Sequence, residues 1–239
     1  MPDLIFTHSR LAACYDAFDQ ERDDLNSYLA IARETGARRV LDVGCGTGCL
    51  AVRLAAAGLE VTGADPAEAS LDVARSKDPG SRITWVNASA AAVPAVGADL
   101  AVMTGNVAQV FLTDAEWAQA LGGIRAALRP SGYLAFETRR PEYRVWEEWA
   151  ADTVPVTRDI PGTGLVEQRR EVISVALPLV SFRYTYRFSD GAVIVSDSTL
   201  RFRSQDEVMM SLVGYQVLDV REAPDRLGRE MVFLARRSA

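Results

Sequence analysis

Val40-Leu41-Asp42-Val43-Gly44-Cys45-Gly46-Thr47-Gly48 sets a short apolar strand against a glycine-rich loop, and a helix-forming run from Cys49 to Ala57 follows directly. Glycine lets a backbone turn sharply and lets a ligand approach closely. The free amides at a helix start can then meet electron-rich groups. The glycines fall at 44, 46 and 48, a G-x-G-x-G spacing. A dinucleotide fingerprint, G-x-G-x-x-G, would need its third glycine at position 49, which is Cys49. A second strand, Glu60 to Ala64, runs into Asp65, about where an α/β nucleotide unit places an acid for ribose hydroxyls. Asp65 is equally placed to cap a helix that opens at Pro66.

The pattern continues on both sides of this core. Upstream, Ser9 to Thr35 reads as one helix closed by Gly36, with Leu11, Tyr15 and Phe18 sharing a face, then Leu25, Tyr28 and Leu29. Downstream, the Pro66 helix runs to Lys77 and Asp78-Pro79-Gly80 turns the chain. Strands follow at Arg82 to Val86 and Asp99 to Met103, then a helix from Ala115 to Leu128 behind Thr113-Asp114. Pro130-Ser131-Gly132 breaks it, and Tyr133 to Glu137 is a fifth strand. Short apolar strands alternating with helices predict a doubly wound, mostly parallel α/β sheet. From Val166 to Phe202 the pattern becomes all-β. Phe182, Tyr184, Tyr186 and Phe188 alternate with Arg183, Thr185 and Arg187, and Asp190-Gly191 is a hairpin turn signal. Leu200 and Phe202 alternate in the same way with Arg201 and Arg203. The division expected is a cofactor-binding domain over 1–150 and 204–239, with 151–203 inserted as a small antiparallel β subdomain on the acceptor side. Gln205 to Leu212 reads as a short helix, and Tyr215 to Val220 and Glu230 to Ala235 as two closing strands.

The chain has 239 residues, 49% of them apolar, enough for a sizeable core. Its 26 basic and 32 acidic residues leave a net charge of −6, against the electrostatic footprint of a nucleic-acid binder. Cys14, Cys45 and Cys49 form no disulfide framework, which suits a reducing compartment. The first thirty residues hold no apolar signal core, and no stretch approaches the roughly 18 apolar residues of a membrane span. A cytoplasmic protein with no membrane or nucleic-acid partner is the reading. His8 is the only histidine, near the N-terminus, and no cluster has metal-ligand spacing.

Three stretches in register, LDVGCGTG at 41–48, VTGADP at 61–66 and LRPSGYLAFE at 128–137, resemble the class I S-adenosylmethionine-dependent methyltransferases. The resemblance covers roughly residues 11 to 140, with a fainter echo in the last 35. It implies a seven-stranded Rossmann-like sheet with a reversed last strand, S-adenosyl-L-methionine as cofactor, and in-line methyl transfer to a small-molecule acceptor. Carried over residue by residue, Asp42, Gly44, Cys45, Gly46, Thr47 and Gly48 are the cofactor loop, and Asp65, followed by Pro66, is the ribose acid. Tyr15-Asp16-x-Phe18 looks like the N-terminal helix motif that covers the cofactor in many relatives, which makes Tyr15 a candidate; helix packing explains it as well. Relatives often carry Gly-Asp-Ala before a Leu-Pro pair, and here the chain reads Asn87-Ala88-Ser89-Ala90-Ala91-Ala92-Val93-Pro94. Anchored on Pro94, Ser89 takes the aspartate's place beside the adenine, with Ala90 next to it. Serine accepts a hydrogen bond but brings no charge.

Thr104-Gly105-Asn106 follows the fourth strand, on the cleft floor beside the methyl group. On the acceptor side the candidates are Gln109 and the aromatic run after the fifth strand, Tyr143 and Trp146 with Trp149, spaced to share a helical face. A lid helix packed on the inserted sheet is the competing explanation. Arg183, Arg187, Arg201 and Arg203 are expected on the solvated face, paired with Glu167 and Glu171; turned to the cleft they would imply an anionic acceptor. A nicotinamide-dependent oxidoreductase and a non-catalytic cofactor-binding module remain open alternatives.

Overall fold

The computed structural model describes residues 2–19 and 22–238. The short apolar strands form one sheet whose central members are buried on both faces, as parallel strands between helix layers must be, while the edge strand is partly exposed. They are β1 (Arg39–Val43), β2 (Glu60–Asp65), β3 (Ile83–Asn87), β4 (Ala98–Met103) and β5 (Leu128–Arg139), all parallel. At the C-terminus β10 (Tyr215–Glu222) and β11 (Glu230–Arg237) pair antiparallel, and β11 enters antiparallel beside β5. The order is β10-β11-β5-β4-β1-β2-β3, a seven-stranded α/β sheet with one reversed strand.

Alternation along the strands divides the core. Leu41, Val43, Ala101, Met103 and Phe136 face α6 (Asp114–Ala127) through Trp117, Leu121 and Ile124. Val40, Leu100, Val102 and Ala135 face α3 (Leu25–Glu34) and α4 (Cys49–Ala56) through Leu25, Tyr28, Ile31, Leu50 and Leu54. Of the two boundary signals around α6, one holds and one does not. Its start is a Thr113–Glu116 capping box, as Thr113 suggested. Pro130-Ser131-Gly132, by contrast, lies inside β5, with Ser131 at φ +59, so the strand begins at Leu128.

Ser9 to Thr35 is not one helix. α1 (Leu4–Thr7) and α2 (Ser9–Phe18) precede α3, and the chain changes direction between Phe18 and Leu25. Asp19 is extended and gives its N–H to Tyr15 O, ending α2. Arg22 then bridges Asp19 and Asp24, closing the turn with side chains. Packing requires the break: α2 buries Leu11 and Cys14 against Tyr186 and Phe188, whereas α3 packs on the large sheet. Likewise α5 (Glu68–Ser76) starts two residues after Pro66. His8 caps α2 by accepting from Arg10 N.

Between β5 and β10 lie α7 (Val145–Ala151), β6 (Val156–Ile160), β7 (Gly164–Ala176), β8 (Leu179–Phe188), β9 (Val193–Arg201) and α8 (Gln205–Ser211). β6 to β9 form a separate antiparallel sheet in chain order. β6 escaped the sequence reading because four of its five residues are exposed and show no alternation. Cross-strand register sets Gln168 opposite Tyr186, Arg170 opposite Tyr184 and Val172 opposite Phe182, so these share one face. That face packs at one end on α1 and α2 and at the other on Trp146, Trp149 and Phe202.

The four arginines divide in two. Arg183 pairs with Asp197 and Arg187 with Glu167 on the outer face. Arg201 and Arg203 are not solvated, with only 15% and 4% of their side chains exposed. Arg203 donates to Phe111 O (2.8 Å) and Thr113 O (3.3 Å), and Arg201 to Leu112 O (3.0 Å). The carbonyls of the turn after β4 lack helix partners, and the two guanidinium groups supply them, tying the small sheet to the large one. No described helix is long and apolar enough to cross a membrane, and no group of three His, Cys, Asp or Glu among the described residues is placed to hold a metal.

Candidate functional site

The loop from Gly44 to Gly48 leaves the carboxyl end of β1 and folds back on β2. Gly44 N and Cys45 N both donate to Ala64 O (2.8 and 3.2 Å). Gly46 N donates to Asp65 Oδ2 at 2.9 Å, and Asp65 Oδ1 takes Ala67 N at 2.8 Å. Each carboxylate oxygen accepts more than one hydrogen bond, so both retain capacity for a ligand. Burial lifts the Asp65 carboxyl above its ordinary range, partly offset by these amides. Gly44 has φ +70, and a Cβ there would stand 2.6 Å from Val107, so the loop and the turn after β4 meet only because the side chain is missing. Gly46 has φ +52 and would direct a Cβ into open space, with nothing within 4 Å. Beneath the loop Asp42 is 1% exposed and neither oxygen has a hydrogen-bond partner among the described residues. Burial, then the charge of Asp65, pushes its pKa up to about 7.

α2 lies against this loop. Thr47 Oγ1 donates to Asp16 Oδ1 at 2.6 Å, and Asp16 pairs with Lys77. Tyr15 is half-buried two turns into α2, and burial drives its hydroxyl pKa well up. A cleft of about 630 Å³ opens beside the loop, with Asp16, Arg22, Cys49, Arg53, Lys77 and Arg158 on its wall. None of the loop glycines lines it, and two of its cations already pair, Lys77 with Asp16 and Arg22 with Asp19. Ser89 and Pro66 are exposed at the ends of β3 and β2, whereas Ala90 is buried against Gly123 of α6.

The turn Thr104-Gly105-Asn106 is shaped from below by Glu137. Gly105 and Asn106 take φ +68 and +62. Glu137 Oε1 accepts Gly105 N (2.7 Å) and Asn106 N (3.3 Å), and its Oε2 accepts Tyr28 OH (2.9 Å). Burial, then Glu230, raises the Glu137 carboxyl to about 7. Asn106 turns its side chain inward: Nδ2 donates to Glu230 at 3.1 Å and Oδ1 is buried without a partner. Gln109 is not a solvated residue but fully buried, accepting from Arg139 Nη1 at 2.9 Å and donating to Arg201 O at 3.4 Å.

The aromatic run after β5 does not present one face. Arg144 at φ +55 separates a single turn, Pro141–Tyr143, from α7. Tyr143 is consequently swung outward, bonded to Glu148 and covered by Arg229 at 4.7 Å. Trp146 is 3% exposed and packs edge-on against Phe202 (4.9 Å). Neither walls the cleft. Trp149 is also buried, between Phe182 (5.3 Å) and the guanidinium of Arg139 (5.3 Å).

With this geometry in hand, residues 40–132 match a methyltransferase domain model, the stretch from β1 through α6 that holds the loop, Asp65 and Asn106. Over residues 40–132 the chain is thus similar to a methyltransferase domain, on a fold it shares with S-adenosylmethionine-dependent methyltransferases. The fold is shared with an S-adenosylmethionine-dependent methyltransferase from Clostridium acetobutylicum (TM-score 0.77, 14% identity, 97% of this chain and 99% of that one). It is shared too with CalS10 of Micromonospora echinaspora, an amino pentose methyltransferase solved with S-adenosylmethionine bound (TM-score 0.72, 21% identity, 94% and 96%). In sequence, the chain is 32% identical over 112 residues to a ubiquinone biosynthesis O-methyltransferase of Aromatoleum aromaticum, 46% of this chain and 47% of that protein. Alignments to curated relatives span between 16% and 47% of their length, so the chain covers less than half of each of them.

Several residues around this domain's cleft were not singled out beforehand. Glu137 and Arg139 end β5 as Asp65 ends β2, and position at a strand's carboxyl end was the available signal. Glu230 had none, since its neighbours in space are distant in sequence, whereas Tyr184 belongs to the aromatic face of 182–188 already visible as alternation.

Proposed function

We propose that this protein is an S-adenosylmethionine-dependent methyltransferase acting on a small-molecule acceptor. The observation that carries the reading is the open-faced glycine loop whose Gly46 amide is already bonded to Asp65. The donor set suits the cofactor: Asp65 for the ribose hydroxyls, the loop amides beneath the methionine part, and the unpartnered Asp42 as a buried acceptor below. Ser89 and Ala90 flank the adenine side, Tyr15 and Thr47 the α2 side, and Thr104-Gly105-Asn106 the floor. When bound, the cofactor supplies a methyl group already activated by its sulfonium. What remains for the chain is to hold an acceptor in line and keep water out, and positioning alone can lower such a barrier substantially. On this reading 151–203 serve as the acceptor side, with α7 packed on the inner face of the small sheet, and 1–150 with 204–239 as the cofactor side. The amino pentose on which CalS10 acts favours a small acceptor over a folded macromolecule. Calorimetric titration of the full chain with S-adenosylhomocysteine, and with NADH in parallel, tests the proposal. Micromolar binding of the first alone is expected. Binding of NADH alone would make the protein an oxidoreductase.

A further inference from the structure

We infer that the acceptor carries an oxyanion, a carboxylate or a phosphate, and that Arg139 receives it. The inference rests on the methyltransferase reading for the word acceptor, but the site itself stands on geometry. Arg139 is the last residue of β5, at the carboxyl end of the sheet, where open α/β folds bind ligands. Three neighbours fix its guanidinium. Nη1 donates to Gln109 Oε1 at 2.9 Å, Nε faces Glu230 at 3.5 Å, and the Trp149 ring lies 5.3 Å from Cζ. Gln109 is itself fully buried and anchored on Arg201 O, so the plane cannot swing freely.

What is left over is the recognition edge. Nη2 has no protein acceptor among the described residues, although the side chain is still 22% exposed. The cation is also poorly neutralised. Glu230 is the only described carboxylate within 4 Å of it, and that carboxylate also accepts from Arg226 (2.9 Å) and Asn106 (3.1 Å). Burial draws the Arg139 pKa down, as for a cation short of solvent and counter-charge. A second cation faces the same indole: Arg170 Cζ is 5.2 Å from Trp149, its Nε is buried with no partner among the described residues, and Asp152, the acid it meets among them, is half in solvent at 3.5 Å. Tyr184, opposite Arg170 in the sheet, offers an aromatic surface alongside. A fixed guanidinium with free donors binds a planar carboxylate or a phosphate through paired charge-assisted hydrogen bonds.

The test uses three probes on the S-adenosylhomocysteine-loaded chain: benzoate, phenyl phosphate and the neutral benzyl alcohol. At least one anion is expected to bind about tenfold or more tighter than benzyl alcohol, the size of one hydrogen bond to a charged group; which anion does so tells carboxylate from phosphate. Arg139→Gln should abolish that preference while leaving benzyl alcohol and S-adenosylhomocysteine affinities unchanged. Arg139→Lys, which keeps the charge and loses the fork, should fall between, and it decides the matter if the glutamine variant does not fold. No anion preference in the wild type, or a preference that survives both variants, would overturn the inference. The same titrations without S-adenosylhomocysteine keep the two readings apart, since failure of cofactor binding sinks the methyltransferase while leaving the Arg139 site testable.

Discussion

The glycine loop and the small antiparallel sheet are built on different principles. From Val40 to Pro66 the contacts run mostly through backbone: two amides on Ala64 O, one on Asp65, and positive φ at Gly44, Gly46 and Gly48. Only a few residue types permit that backbone, so the function of the region is written locally. From Val156 to Arg201 the backbone is ordinary antiparallel sheet, and what matters is which side chains line the inner face and what packs on them. The partners come from α2, α7 and the end of β5, and no short stretch of sequence contains them. On the proposed reading one region would hold its ligand by conformation and the other by composition, so the second would be freer to change its ligand.

The largest expected effect breaks the small sheet without touching the loop. Phe202 is 2% exposed and packs on Trp146 (4.9 Å) and Trp149 (6.2 Å). Phe202→Ala should destabilise the protein by about 3–5 kcal/mol, the usual cost of an emptied aromatic site in a core. S-adenosylhomocysteine affinity of the folded fraction should stay within a few-fold. Denaturant titration with calorimetry on the same samples would show it, and parallel loss of cofactor affinity would mean that the two regions are one site energetically. The reciprocal change is Asp65→Ala. It removes the acceptor of the Gly46 and Ala67 amides and of the proposed ribose hydroxyls, and should weaken S-adenosylhomocysteine roughly a hundredfold, about two hydrogen bonds to a charged group. Asp65→Asn should fall between. An unchanged affinity in both would misplace the ribose.

A third, smaller effect concerns the seam. Glu137 holds the turn after β4, and burial, then Glu230, raises its pKa from an ordinary 4.5 to about 7. The folded protein therefore keeps this proton to higher pH than the unfolded chain. Its contribution to stability is fully present below pH 4.5 and is lost as pH rises to 7. Glu137→Gln retains an acceptor for Gly105 and Asn106 and cannot titrate. The fall in Tm from pH 5 to pH 8 should shrink in the variant, by the equivalent of roughly 2 kcal/mol. Asp42 contributes in the same direction, pushed from 3.8 to about 7, so some slope should persist. An identical slope in wild type and variant would show that Glu137 is ionised throughout.

These contrasts explain what the sequence disclosed. The parallel strands and the glycine loop could be read from strand–helix alternation and one motif, because each element is written in its own short stretch; the reversed last strand, which pairs β11 with β5, was expected only from the family resemblance. The inward rows of the small sheet could be read from alternation as well. The break between α2 and α3 could not, since it follows from which sheet each helix covers. Arg201 and Arg203 alternate like Arg183 and Arg187 but meet the carbonyls of residues 108–113 instead of water. Spacing also grouped Tyr143 with Trp146, and the positive φ at Arg144 dissolved that face. Tertiary partners, not local pattern, decided each of these.

The smallest effect sharpens the comparison from its outer side. Arg183 forms a two-pronged pair with Asp197 directly across β8 and β9, at 2.6 and 2.7 Å, yet both side chains are about half in water. Water and salt screen such pairs, and holding two long side chains together costs entropy that offsets most of the attraction. Arg183→Ala should therefore leave Tm, cofactor affinity and benzoate affinity where they are in the wild type. The outcome matters because Arg183 lies on the same strand as Tyr184 and differs from it only in which way it points. If Arg183→Ala altered anion binding, the outer face would belong to the acceptor site after all, and the division of the sheet into a binding face and a solvated face would fail. If it changed nothing while Arg139→Gln abolished anion preference, charge alone would be excluded as the cause, and the position of Arg139 at the carboxyl end of β5 would be what gives it a ligand.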